Sequence, residues 1–296
     1  MTQNSNQVPD PDIAKGLASI GGELASIEEV TTLRTKTKDR ACYRIGLTDG
    51  RTVKARCFAS IEKRQAFMNL TPALDGLPFN RVLKASGCFV IEEWIDGSAV
   101  QSHSLTSDGI RQLATVLARL NRKRIPSTVR TKTLQGIEWH AARLHNLLQN
   151  LVKKNKIESS LADKLLKIAE AHQPKDFEVG VIHTDFHPQN MIRCPNDEIW
   201  TIDNEGLRIG VLDFDLGRCL TRWAMTPAQR KTFFEGYSEV RSLGPFLEHQ
   251  TFWAINTLVL TIEINHNHGC SIDRFLTRLS CVAESSDDGI WPVSTQ

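Results

Sequence analysis

The sequence predicts an α+β protein of two lobes, a strand-rich N-terminal one and a larger, mainly helical C-terminal one. Three observations carry that reading. Residues 28–94 are dominated by short β-branched and aromatic runs separated by turn signals. Beyond Gly97 the apolar residues recur with the period of a helix. A second strand-rich stretch, 178–212, interrupts the helical part. A chain of 296 residues is long enough for two such lobes, each with its own core.

Taken in order, residues 1–12 are polar and rich in Pro, Asn and Gln, which predicts a disordered tail. A short helix is expected within 13–24, weakened by Gly21 and Gly22. The segment 41–58 reads as two strands around Thr48-Asp49-Gly50, because Asp-Gly readily supplies the positive φ angles of a tight hairpin. Residues 60–70 predict a helix capped by Ser60, with Pro72 just past its end. The run G-C-F-V-I-E-E-W (87–94) is a further strand. The N-terminal lobe is therefore placed at 13–97, with a hinge near 92–97, and the C-terminal lobe at 98–296. In the latter, Ile110, Leu113, Ala114, Leu117 and Leu120 share one helix face. Residues 134–154, 159–172 and 227–280 continue in that mode, and Trp139 and Trp253 within them, like Trp223, are expected in packing roles.

Charge and cysteine content exclude several classes. Lys plus Arg total 36 and Asp plus Glu 34, a balance unlike the basic excess of a nucleic-acid or membrane-surface binder. No apolar run reaches the roughly 18 residues of a membrane span. The N-terminus lacks the basic start and apolar stretch of a secretory leader. Seven scattered cysteines without a C-x-x-C pair predict reduced thiols in a cytoplasmic protein.

The chemistry is concentrated in V-I-H-T-D-F-H-P-Q-N-M-I-R (181–193) and I-W-T-I-D-N-E-G-L-R-I-G-V-L-D-F-D-L-G-R (199–218). Apolar runs flanking two polar clusters predict two loops fed by neighbouring strands. Phosphoryl transfer from a nucleotide needs a carboxylate to orient the attacking hydroxyl and oxygen ligands for the magnesium that bridges the phosphates. Asp185 suits the first role. Asn190 and a later Asp suit the second, because magnesium is a hard cation.

His183-x-Asp185-x-x-x-x-Asn190 resembles the catalytic loop of the protein-kinase-like superfamily. The form H-x-D-x-H-P-x-N is similar to that of its small-molecule branch, the aminoglycoside and choline phosphotransferases. The resemblance implies a two-lobed protein-kinase-like fold, ATP, Mg2+ and transfer of the γ-phosphoryl group to a hydroxyl of a small molecule. It makes Asp185 the catalytic base and His183 an organiser of the loop. The metal aspartate it implies is Asp203, 18 residues after Asp185 and in register with Gly210, Asp215 and Leu216. Asp213, in D-F-D, falls ten residues later and is read as a decoy, with Asp215 as a cap of the following helix.

In the N-terminal lobe, Val53-Lys54-Ala55 is similar to the family's lysine strand, whose ammonium contacts the α- and β-phosphates. Glu62, the one acid of the next predicted helix, is the expected ion-pair partner of Lys54. Glu92, Glu93 and Trp94 are placed where backbone groups meet adenine. The segment 33–40 stands where a glycine-rich loop is expected but contains no glycine, so Lys38, with Lys36 and Thr37, is assigned to the phosphates through its side chain.

Three other readings remain open in the sequence. One is an atypical protein kinase, against which stands the lack of an A-P-E segment after Asp203. The second is a degraded kinase serving as a binding scaffold. The third is a metal-dependent hydrolase using His183, Asp185 and His187, which alternate onto one face of an extended segment. The acceptor is open as well. Glu235, Glu239, Glu248, Glu263 and Asp273 are available for a cationic substrate but are diluted by Arg230, Lys231, Arg241 and Arg274.

Overall fold

A computed structural model describes residues 10–31, 41–127 and 136–284 of the chain. Lys38, Lys36 and Thr37 and most of the N-terminal tail lie outside the described residues. The chain divides into two compact units, one of residues 1–98 with 192–202, the other of 99–191 with 203–296. The sequence reading left 192–202 with the C-terminal part; they cluster with the first unit. One reason is local: Thr201 N donates to Pro78 O at 2.8 Å, and Phe79 and Thr201 form a parallel bridge.

The first unit begins with α1 (Pro11–Ser19), two residues inside the stretch read as tail. Asp10 caps it, its side chain accepting from Asp12 N, and Pro11 takes the first helical position, where its missing N–H costs nothing. Then come β1 (Leu24–Glu29), β2 (Cys42–Leu47), β3 (Thr52–Cys57), α2 (Ile61–Met68), β4 (Val82–Ser86) and β5 (Phe89–Glu93). The strands form one sheet in the order β1-β2-β3-β5-β4, with antiparallel neighbours throughout. The turn between β2 and β3 is the Asp49-Gly50 hairpin, with Gly50 at φ +88°. Ile13 and Leu17 of α1 pack on Ile45, Val53, Ala55 and Ile91 of the sheet, all buried.

After β6 (Ser98–Ala99) the second unit is built from α3 (Ser107–Asn121), α4 (Ile137–Lys153) and α5 (Ser159–Ala171). In chain order β7 (Val179–Ile182) is followed by β8 (Met191–Arg193) and β9 (Ile199–Thr201), which lie almost wholly in the 192–202 stretch of the first unit, and the second unit resumes with β10 (Arg208–Val211), α6 (Leu212–Arg222), α7 (Pro227–Ser238), α8 (Gly244–Glu248), α9 (Gln250–Asn267) and α10 (Asp273–Glu284). The helix α9 is apolar nearly all round and is accordingly buried, as Phe252, Trp253, Ile255, Leu258 and Ile262 show. Trp223 and Trp253 are fully packed, each such side chain contributing about 1.5–3 kcal/mol. Among the described residues no helix is long and apolar enough to cross a membrane.

Two features place the chemistry. β7 and β10 pair antiparallel, with Arg208 opposite Ile182 and Val211 opposite Val179, so the loops leaving β7 and entering β10 lie side by side. α6 starts directly at Leu212, with no capping side chain at Val211. Asp213 and Asp215 therefore fall inside its first turn, a position that favours carboxylates, and not ahead of a helix as the sequence suggested.

Candidate active site

The loop after β7 is held from beneath by α6. Asp215, with no exposed surface, accepts from His183 N at 3.0 Å, from Thr184 N at 2.7 Å and from Asn121 Nδ2 at 3.1 Å. This anchor, which the sequence reading took for a helix cap, supports a strained backbone. Thr184 has φ +68°, a conformation costly for a β-branched residue. Each of its remaining polar atoms is also engaged: its carbonyl accepts from Arg218 Nε at 3.2 Å and its hydroxyl donates to Gly206 O at 3.2 Å. Gly206 is required here, because a Cβ would stand 2.6 Å from Thr184 Oγ1 and 2.8 Å from His183 O.

His183 is fully buried and organises the loop. Asp185 N donates to its Nδ1 at 3.3 Å, so the ring proton sits on Nε2, which reaches Asn204 Oδ1 at 3.1 Å. Burial pushes the imidazole pKa below its ordinary value against the charge of Asp215, and the ring stays neutral. The His183–Asn204 bond ties the catalytic loop to the residue next to Asp203, itself in the left-handed region at φ +66°. Both ring nitrogens of His183 are thereby committed, which removes it as a ligand in the hydrolase reading.

Asp185 presents a carboxylate whose side chain is 32% exposed, open to an incoming hydroxyl. Asn190 Nδ2 donates at 2.9 Å both to its carbonyl and to Oδ2. Arg222 Nη2 stands 3.2 Å, and Arg218 Nη2 3.8 Å, from Oδ1. Burial would raise the carboxyl pKa, but the His187 ring and the two guanidinium groups outweigh it and hold the group well below the usual carboxylate range. Arg218 and Arg222, four residues apart on α6, share one helix face, and neither was singled out in the sequence. Only the knowledge that α6 lies under the loop would have found them.

The oxygen ligands for magnesium fit what the metal needs. Asn190 spends its amide nitrogen on Asp185, which leaves Oδ1 as a neutral oxygen donor without a hydrogen-bond partner among the described residues. Asp203 lies close enough for its charge to act on His183. Among the described residues no group of three or more His, Cys, Asp or Glu gathers into a metal cage. Magnesium asks for less, since it keeps water and substrate phosphates around one or two protein oxygens. Asp213, by contrast, is buried 3.6 Å from Arg241, in a network with Tyr237 and Glu178.

In the first unit the partner of Lys54 differs from the expected one. Glu62 is on the exposed side of α2, where its carboxylate bonds to Ser60. The carboxylate within ion-pair range of Lys54 is Glu92, 3.9 Å away and also 3.7 Å from Arg56. The cause is the sheet register. Lys54 and Glu92 are directly opposed on β3 and β5, and Lys54 and Arg56, two apart, share a face. Glu92 is buried, and among the described residues neither of its oxygens accepts a hydrogen bond. Glu93 pairs with Arg81 Nε at 3.1 Å, and the Arg44 guanidinium lies 5.1 Å from the Trp94 ring.

The acids considered for a cationic acceptor are mostly engaged elsewhere. Glu235 and Glu239 both pair with Arg111, and Glu263 with Lys154. Trp253 is fully buried.

The arrangement agrees with what comparison of the chain with known proteins finds. The family model described as APH, phosphotransferase enzyme family, matches residues 33–248. The chain belongs to this phosphotransferase family. Its fold is shared with choline kinase LicA from Streptococcus pneumoniae, at TM-score 0.63 and 14% identity over 89% of this chain and 95% of that one. It is shared as well with an aminoglycoside phosphotransferase from Alicyclobacillus acidocaldarius, at TM-score 0.62 and 18% identity over 95% of each chain. Spectinomycin phosphotransferase APH(9)-Ia, in complex with ADP and spectinomycin, matches at TM-score 0.58 and 12% identity, over 90% of this chain and 94% of that one. A search of the curated proteins finds no match. This member of the phosphotransferase family thus has the α+β kinase-like fold that the motif at 183–190 implied.

Proposed function

We propose that this phosphotransferase moves the γ-phosphoryl group of ATP, with Mg2+, to a hydroxyl of a small molecule. The observation that carries the reading is the pairing of Asp185 with Asn190, which leaves one carboxylate open to a hydroxyl and one amide oxygen open to a cation. A carboxylate held at so low a pKa is a weak base, which suits phosphoryl transfer. Its loose transition state asks the protein for orientation and charge placement more than for early proton removal. Asp185 aligns the hydroxyl and takes its proton as the new P–O bond forms and the bond to the β-phosphate oxygen breaks. Asn190 and Asp203 would hold the magnesium, whose charge offsets that of the phosphates when it is bound. Lys54, oriented by Glu92 and not by Glu62, serves the α- and β-phosphates. Complexes of related folds with ADP and with AMP support a nucleotide donor. The seven free cysteines fit a reducing, cytoplasmic setting.

The metal assignment has a direct test in two alanine variants. Asp203→Ala is expected to lose transfer from labelled ATP by about 10²-fold or more, an electrostatic loss of the usual size for such sites. Asp213→Ala is expected to keep the transfer chemistry and to lose stability, since it strips Arg241 of a buried partner. Retained transfer in Asp203→Ala with loss in a folded Asp213→Ala would reverse the assignment.

A further inference from the structure

The second unit contains a cluster of cations that the proposed chemistry does not use. Arg208 is the first residue of β10 and stands opposite Ile182, the residue before His183. Its guanidinium carbon lies 5.6 Å from the centre of the Phe214 ring, and that of Arg143, on α4, lies 4.9 Å from the same ring. Arg143 also stacks on Trp139 at 4.4 Å and donates from Nη2 to His140 Nδ1 at 3.2 Å. Among the described residues neither Arg143 nor Arg208 has a carboxylate within ion-pair reach, and the Nε of each is buried without a hydrogen-bond partner. Residues 128–135, which lead into α4, contain no acid. The charge of Asp215 acts on Arg208, yet its oxygens are taken by His183, Thr184 and Asn121.

Two partly exposed guanidinium groups sharing one aromatic ring, with no carboxylate in ion-pair reach among the described residues, repel each other. Burial first, and then the charges of Arg208 and Arg218, push the Arg143 pKa down to about 9. A fold does not retain such a pair for stability. An anion placed between them would relieve the repulsion and receive the fork geometry that guanidinium offers to carboxylate and phosphate. The cluster continues to the reacting group, because Arg218 and Arg222 lie beside Asp185.

We infer that the acceptor carries an anionic group, a carboxylate or a phosphate ester, which Arg143 and Arg208 bind beside the catalytic loop. This deepens the phosphotransferase reading and rests on it. Polycationic and quaternary-ammonium acceptors are disfavoured by the same charges.

The test is thermal unfolding of the full chain with saturating Mg-ADP, which occupies any nucleotide site, and added inorganic phosphate, malonate or choline chloride. Potassium chloride at equal ionic strength is the reference. At several times its dissociation constant, phosphate or malonate is expected to raise Tm by about 2–4 °C over the reference. The stronger of the two tells phosphate ester from carboxylate. Choline is expected to do nothing. The response should vanish in Arg143→Gln/Arg208→Gln, whose folding is checked by its own Mg-ADP shift, or in Arg208→Gln alone if the double variant does not fold. No rise above the chloride reference, or a rise that the variants keep, overturns the inference. A chain that ignores Mg-ADP but answers to phosphate would refute the nucleotide reading and leave the anion site standing.

Discussion

Asp185→Asn is expected to lower phosphoryl transfer by about 10²–10⁴-fold while Mg-ATP still stabilises the fold. The substitution keeps shape and one acceptor oxygen, so the Asn190 contact has an oxygen to aim at. The negative charge is what disappears. With it go the alignment of the attacking hydroxyl and the counter-charge to Arg218 and Arg222, which then face each other across a neutral amide. The loss should fall on kcat and leave nucleotide binding nearly unchanged, because this group acts on the acceptor hydroxyl. Single-turnover transfer from labelled ATP, with a thermal titration of the same preparation, separates the two. A variant that kept more than about a tenth of the parent rate would remove Asp185 from the reaction.

Asp215→Ala has the larger effect on the fold. It leaves the His183 and Thr184 N–H groups without an acceptor, together with one of the two Asn121 amide hydrogens, the other staying on Val181 O. Each unpaired buried donor costs about 1–3 kcal/mol, and Thr184 retains strain of about 1–3 kcal/mol with less to hold it. A total loss of about 3–5 kcal/mol is expected, the range seen when one member of a buried charged group is removed. Transfer should fall as well, since Asp185 is the next residue along the loop that Asp215 positions. Urea unfolding read beside kcat tests this. A midpoint equal to the parent's, with full kcat, would show that the anchor is dispensable.

These two residues also show where sequence reading succeeds and where it ends. Asp185 and Asn190 could be found because their chemistry is encoded locally, in a spacing of five that brings the amide back onto the carboxylate. The hairpin at Asp49-Gly50 and the helix capped by Ser60 were legible for the same reason. Asp215 was visible as a residue but not as an anchor, because its contacts reach 31 and 32 residues back to a loop that only the β7–β10 pairing brings near. Glu62 was chosen for Lys54 because it is the one acid of the next predicted helix. The true neighbour, Glu92, lies on another strand and was read instead as part of the adenine contact. Arg143 and Arg208 gave no signal at all. A lone Arg on an amphipathic helix is ordinarily a solvated face, and only the structure shows that Arg143 has no carboxylate in ion-pair reach among the described residues.

The central claim, that the chain binds a magnesium nucleotide as the phosphoryl donor, is tested most directly by thermal unfolding against Mg-ATP. At about 100 times its dissociation constant a ligand adds about 2.7 kcal/mol to the stability of the folded state. A saturable rise in Tm of that size, requiring both magnesium and ATP, is the predicted result. No rise at any nucleotide concentration would contradict it.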